Sequence, residues 1–104
     1  PIANIDKRYH PKESVVGLEM DGKAQGYPFV ELDKFASSHS QGTGKTSRYR
    51  LTDKVGEQQI HLSFDPVHRA AYIENEKGQK LPSVIAFWFA WMAFYPEAEV
   101  YAAP

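Results

Sequence analysis

The chain contains no cysteine. Disulfides, thiolate nucleophiles and cysteine-held zinc or iron–sulfur centres are therefore excluded, while the redox compartment is left open. It also lacks an excess of either charge: 12 basic and 13 acidic residues are interleaved to a formal charge of -1, which supplies no field to gather nucleic acid or an anionic membrane surface. No apolar run approaches the roughly 20 residues of a membrane span. The longest, residues 84–95, would make a helix only about 18 Å long at 1.5 Å per residue, so no membrane span is expected. Neither a starting methionine nor a charged, apolar, small-residue leader precedes Pro1, the pattern expected of a processed chain or of a piece of a longer protein.

What is present is the composition of a folded domain. Apolar residues make up 42% and aromatics 13% of 104 residues, too much for a disordered segment and enough for one modest core, so residues 1–104 are read as a single domain. After a polar lead-in, "VVGLEMDGKAQGYPF" forms two extended runs around Asp21-Gly22, a dipeptide suited to the positive φ values of a two-residue hairpin turn. Pro28 lacks a ladder donor and belongs at an edge or a strand end. "VELDKFA" predicts a helix of about two turns that depends on tertiary support.

Residues 37–46 turn to Ser, Gly, Gln and Thr, as expected of a surface loop. Beyond them "SRYRLTDKV" alternates, Tyr49, Leu51 and Val55 to one side and Arg48, Arg50, Thr52 and Lys54 to the other. "QQIHLSFD" repeats the pattern with Ile60, Leu62 and Phe64 inward; Asp65-Pro66-Val67-His68 turns into "RAAYIEN", and Glu76-Lys77-Gly78 makes another turn. A meander of three antiparallel strands follows from this. "LPSVIAFWFAWMAFYPE" abandons the period of two; Ser83 as N-cap and Pro96 as stop bracket an expected helix over 84–95, apolar on every side and therefore buried. A short strand over 98–101 closes the chain.

Gly42-Thr43-Gly44-Lys45-Thr46 resembles the end of a phosphate-binding loop. A working loop needs glycine at the position of His39, a buried strand before it and a helix after it. All three are missing, and nucleotide binding is set aside in favour of a flexible loop. His10, His39, His61 and His68 lack metal-ligand spacing, so no metal or other cofactor is expected. The stripe Arg48, Arg50, Lys54, with Lys45 before it, could lie along phosphates. Tyr49 points away from that stripe, so a solvated strand face without nucleic acid is expected. Asp6, Glu13, Glu31, Asp33, Asp65 and Glu97 form no pair by spacing, and no nucleophile elbow exists. No catalytic residue can be nominated.

"DKRYHPKESVVGLEMDGKAQGYPFVEL" and "LPSVIAFWFAWMAFYPEAEVY" together resemble the C-terminal portion of a bacterial family known as domain of unknown function 3179, which carries a His-Pro-Lys-Glu, a Tyr-Pro-Phe and a closing Phe-Trp-Phe-Ala-Trp segment in this order. Gly26 stands where the family more often has alanine, and Tyr95 where histidine is common. The family's upstream Cys-Pro-x-Cys segment has no counterpart here, so its chemistry does not carry over. The resemblance implies a C-terminal module of a larger protein, exported or associated with the cell envelope, whose partner is the upstream domain of the parent protein or another protein.

These readings predict an α+β fold: one strongly twisted antiparallel sheet, with partial closure into a barrel as the alternative, packed around the C-terminal aromatic helix. The preferred function is a non-catalytic binding or structural module that docks through Phe87, Trp88, Trp91 and Tyr95. The alternative is a small ligand-binding or enzymatic domain with a pocket near His10, Tyr27 and Tyr95, to which Lys12 and Glu13 would contribute.

Overall fold

The computed structural model describes residues 6–39 and 48–104, so the phosphate-loop-like string lies outside the described residues. Strand β1 (Ser14–Met20) and strand β2 (Lys23–Pro28) form the expected hairpin. Asp21 and Gly22 sit at φ values of 51° and 76°, the paired left-handed conformation of a type I′ turn, whose twist matches that of the strands. Pro28 ends β2 and leads directly into helix α1 (Phe29–Ser38), longer than the two turns expected.

The meander is present as β3 (Tyr49–Val55), β4 (Gln58–Asp65) and β5 (Ala70–Asn75), all antiparallel. A two-residue strand, β6 (Lys80–Leu81), extends it to four strands. The chain then crosses at Pro82-Ser83 to a second sheet. There the expected helix over 84–95 divides: residues Val84–Phe87 are strand β7, antiparallel to β1, and only Trp88–Phe94 are helix α2. Val84 and Ile85 are β-branched and lose rotamer freedom in a helix, while β1 has a free side whose N–H and C=O groups need partners. Sheet pairing wins for four residues. Ser83 is accordingly not the cap; Phe87 is. Strand β8 (Glu99–Val100) closes this sheet beside β2 in parallel, giving the order β7-β1-β2-β8.

The expected α+β fold is present, with its largely antiparallel strands divided between two open four-stranded sheets, so the partial closure into a barrel is not formed. The position of the main core is also corrected. It lies between the sheets, where Val16, Leu18 and Tyr27 meet Leu51, Val55, Ile60, Leu62, Phe64 and Ile73, with Phe29 and Leu32 of α1 sealing one side. The aromatic helix covers the opposite face of the β1/β2 sheet in a smaller cluster with Val15. β1 is therefore buried on both faces, which is why Val15, Val16, Gly17 and Leu18 are consecutively buried.

Candidate docking surface

The His-Pro-Lys-Glu stretch acts as a clamp for both helices. The carbonyl of Glu13 accepts from Trp88 N–H at 2.7 Å and that of Pro11 accepts from Phe89 N–H at 3.0 Å, satisfying two open donors in the first turn of α2. The Glu13 carboxylate reaches the other way and accepts from Val30 N–H at 2.8 Å, in the first turn of α1, where negative charge also suits the helix dipole. His10 shapes the turn itself: its carbonyl accepts from Glu13 N–H at 2.9 Å and its Nδ1 from Lys12 N–H at 3.0 Å.

α2 lies so close to the sheet because the sheet has no side chains beneath Trp91. Gly17 and Gly26 are cross-strand partners, and a Cβ at either would fall inside the contact distance of the Trp91 indole. Trp88 is fully buried, stacked edge-on with Tyr9 at 4.9 Å, its Nε1 donating to the Asp6 carbonyl at 2.8 Å. Tyr95 packs on Trp91 with ring centroids 4.5 Å apart. The four residues expected to form a docking face are therefore divided. Trp88 and Trp91 are withdrawn into the core and present no side chain to a partner, Tyr95 is half-buried, and Phe87 is exposed. Further exposed apolar surface in this segment comes from residues expected in a buried helix: Val84 at 53%, Ile85 at 52%, Phe89 at 43% and Phe94 at 81%. Phe87 and Phe89 stack on each other at 6.3 Å.

The expected pocket is not assembled. Tyr27 is fully buried in the main core and donates its hydroxyl to Asp53 Oδ2 at 2.8 Å; burial, and then that hydrogen bond, push its ionisation far above the ordinary range. Tyr95 belongs to the cluster on the opposite face of the sheet, and its hydroxyl faces Glu19 at 3.3 Å. His10, exposed in the clamp, joins neither. Lys12 and Glu13 do share a depression, with Ser14, Phe29, Arg69 and Ile85, beside the β7 edge.

Arg69 closes the end of the inter-sheet core at that depression. Its guanidinium stands 5.1 Å from the Phe29 ring and 5.7 Å from that of Phe64, and it binds Asp33 through two hydrogen bonds of 2.9 and 3.1 Å. Its backbone φ of 52° is strained for a side chain of this size, and these contacts hold it there. Glu31, also buried, accepts from Tyr9 hydroxyl at 2.8 Å, from Ala103 N–H at 2.9 Å and from Lys34 at 3.5 Å. Burial alone would raise its pKa, but the N–H of Ala103 and the Tyr9 hydroxyl outweigh that and hold it below 4.5. The same contact, with burial as the larger cause, pushes Tyr9 up to about 12.

Among the described residues no group of three or more His, Asp or Glu side chains is arranged to hold a metal, and no helix is long and apolar enough to cross a membrane. On the outer face of the meander, Arg48 and Lys80 lie over the Tyr72 ring at 5.6 and 4.6 Å. That aromatic was invisible from the spacing around Tyr49, because it comes from two strands away.

The architecture and this surface define an α+β domain of two antiparallel-rich sheets with an apolar helix seated on a glycine pair and an apolar edge left uncovered by the described residues. The chain belongs to the family described as Protein of unknown function (DUF3179), whose model matches residues 1–98. No curated protein and no solved structure matches it.

Proposed function

We propose that this domain is a non-catalytic docking module, and that its contact surface is the β7 edge and the outer side of α2 rather than the buried tryptophans. The observation that carries this reading is the continuous exposure of Val84, Ile85, Phe87 and Phe89. Scattered single apolar residues on a surface need no explanation, but adjacent ones of this size mark contacts. The partner is another domain of the parent protein or a separate protein. The dispersal of His10, Tyr27 and Tyr95 removes the geometric support for the ligand-pocket alternative.

A photo-crosslinking amino acid placed at position 87 or 89, in cells that naturally carry the protein, tests the reading. A discrete adduct from both positions and none from position 77, in the exposed turn between β5 and β6 at the end of β5 away from Arg69, is the expected result. Equal labelling at all three positions, or no adduct at 87 and 89, overturns it.

A further inference from the structure

We infer that the free edge of β7 accepts an extended segment of another polypeptide as a fifth strand of its sheet, and that this segment carries an acidic side chain. The inference rests on the docking reading and specifies the mode of contact. Among the described residues β7 is the last strand on its side of the sheet. The 2.7 Å bond from Trp88 N–H to the Glu13 carbonyl, with the antiparallel register of β7 on β1, puts residues 84, 86 and 88 at the hydrogen-bonded positions. Ile85 and Phe87, at the alternate positions, direct their N–H and C=O groups outward. Exposed edges are ordinarily blunted by lysine, proline or a bulge. The Val-Ile-Ala-Phe of β7 has none of these.

The size of the patch selects the occupant. With about 200 Å² for a full aromatic side chain and somewhat less for an aliphatic one, four half-exposed residues offer on the order of 350 Å². A stable dimer buries roughly 800 Å² per partner, so a second copy of this chain is a poor fit. Strand addition draws its affinity from main-chain hydrogen bonds, with alternate side chains reading pockets. Such a pocket adjoins the edge: the depression lined by Ile85, Phe29, Ser14, Lys12 and Glu13, the last with its carboxylate already accepting from Val30 N–H. Arg69 there is already engaged by Asp33, whereas Lys12 has no ion-pair partner among the described residues and is exposed. An apolar side chain against Ile85 with a carboxylate at Lys12 completes the site.

The probe is an acetylated, fluorescent hexapeptide of alternating valine and threonine with one glutamate, followed by anisotropy on the intact chain. Saturable binding is expected. N-methylation at the alternate positions that face β7 weakens it about tenfold or more, the cost of losing one or two hydrogen bonds, and methylation at the outward positions does not. Lys12→Glu, a surface change that leaves the fold intact, reverses the preference toward a lysine-bearing peptide. Absence of binding, or equal tolerance of both methylation patterns, overturns strand addition. A concentration-dependent dimer dissolved by Ile85→Lys also overturns it, in favour of self-pairing. If crosslinks at positions 87 and 89 persist while the peptide fails, docking stands and only this mode of it falls.

Discussion

Gly17→Ala is the sharpest test of how the aromatic helix is seated. The added methyl would point into the Trp91 six-membered ring, overlapping three of its carbons. Overpacking of a well-filled site costs about 1–3 kcal/mol. With three carbons of a rigid ring that close, the upper part of that range, about 2–3 kcal/mol, applies; removing a glycine from a strand returns roughly 0.5–1 kcal/mol of chain entropy, so the net loss should be about 1–2.5 kcal/mol. For a domain near this size each kcal/mol lowers Tm by roughly 4–8 °C. Gly26→Ala should cost less, because its Cβ would meet Trp91 Nε1 at 2.8 Å, Val15 Cγ1 at 3.2 Å and Trp91 Cδ1 at 3.3 Å, a looser fit than at Gly17. Urea unfolding followed by tryptophan fluorescence and by circular dichroism measures both. In a Trp91→Phe background the large ring is gone and the cost of Gly17→Ala should fall by at least half, the coupling expected of residues in contact. An unchanged cost in that background, or a cost below about 0.5 kcal/mol in the parent, would refute the seat.

Glu31→Gln should destabilise at pH 7 by about 1.5–3 kcal/mol, the usual worth of hydrogen bonds to a charged group. Because the folded-state pKa of Glu31 lies below 4.5, its contribution is present above pH 4.5 and fades as pH falls through the folded value. The gap between parent and variant should therefore narrow on acidification, and a pH-independent gap in urea titrations would count against the assignment. Glu13→Ala removes the side-chain partner of Val30 N–H and should cost about 1 kcal/mol, as loss of a helix cap does; an unchanged urea midpoint would show that the clamp on α1 is not energetically coupled. A single-stranded oligonucleotide titrated at low salt should show no salt-dependent binding to Arg48, Arg50 and Lys54, because a chain of formal charge -1 offers no net positive field to gather phosphates and the Tyr72 ring on that face is already engaged by Arg48 and Lys80.

Local signals were legible where one period or one turn type dominated. Asp21-Gly22 fixed the first hairpin, and the alternation of Leu51, Val55, Ile60, Leu62 and Phe64 fixed the inward face of the meander. β6 was not legible, since two residues carry no period. The boundary inside the aromatic segment was missed for a physical reason: a run apolar at every position fits both a buried helix and a buried strand. The deciding factor was the unpaired side of β1, about 70 positions earlier in the chain. The docking face inherited the same error. Read as helix, Val84 and Ile85 looked like core; as part of an edge strand they are exposed.

β1 held the information that would have resolved this. Val15-Val16-Gly17-Leu18 has no polar alternation, the pattern of a strand covered on both faces, whereas the meander strands alternate and need cover on one face only. One layer on each side of β1 follows. The meander supplies one, and the aromatic segment is then free to cover only the other, above Gly17 and Gly26. A helix long enough to use all of residues 84–95 would overrun a two-stranded seat, leaving apolar turns without a surface to lie on. Folding the first four residues into the sheet widens that seat by one strand and shortens the helix to Trp88–Phe94, so that Trp88, Trp91 and Met92 all find cover. The cost is transferred to the new edge, where Ile85 and Phe87 remain in water, and that is the physical reason to look for a partner there.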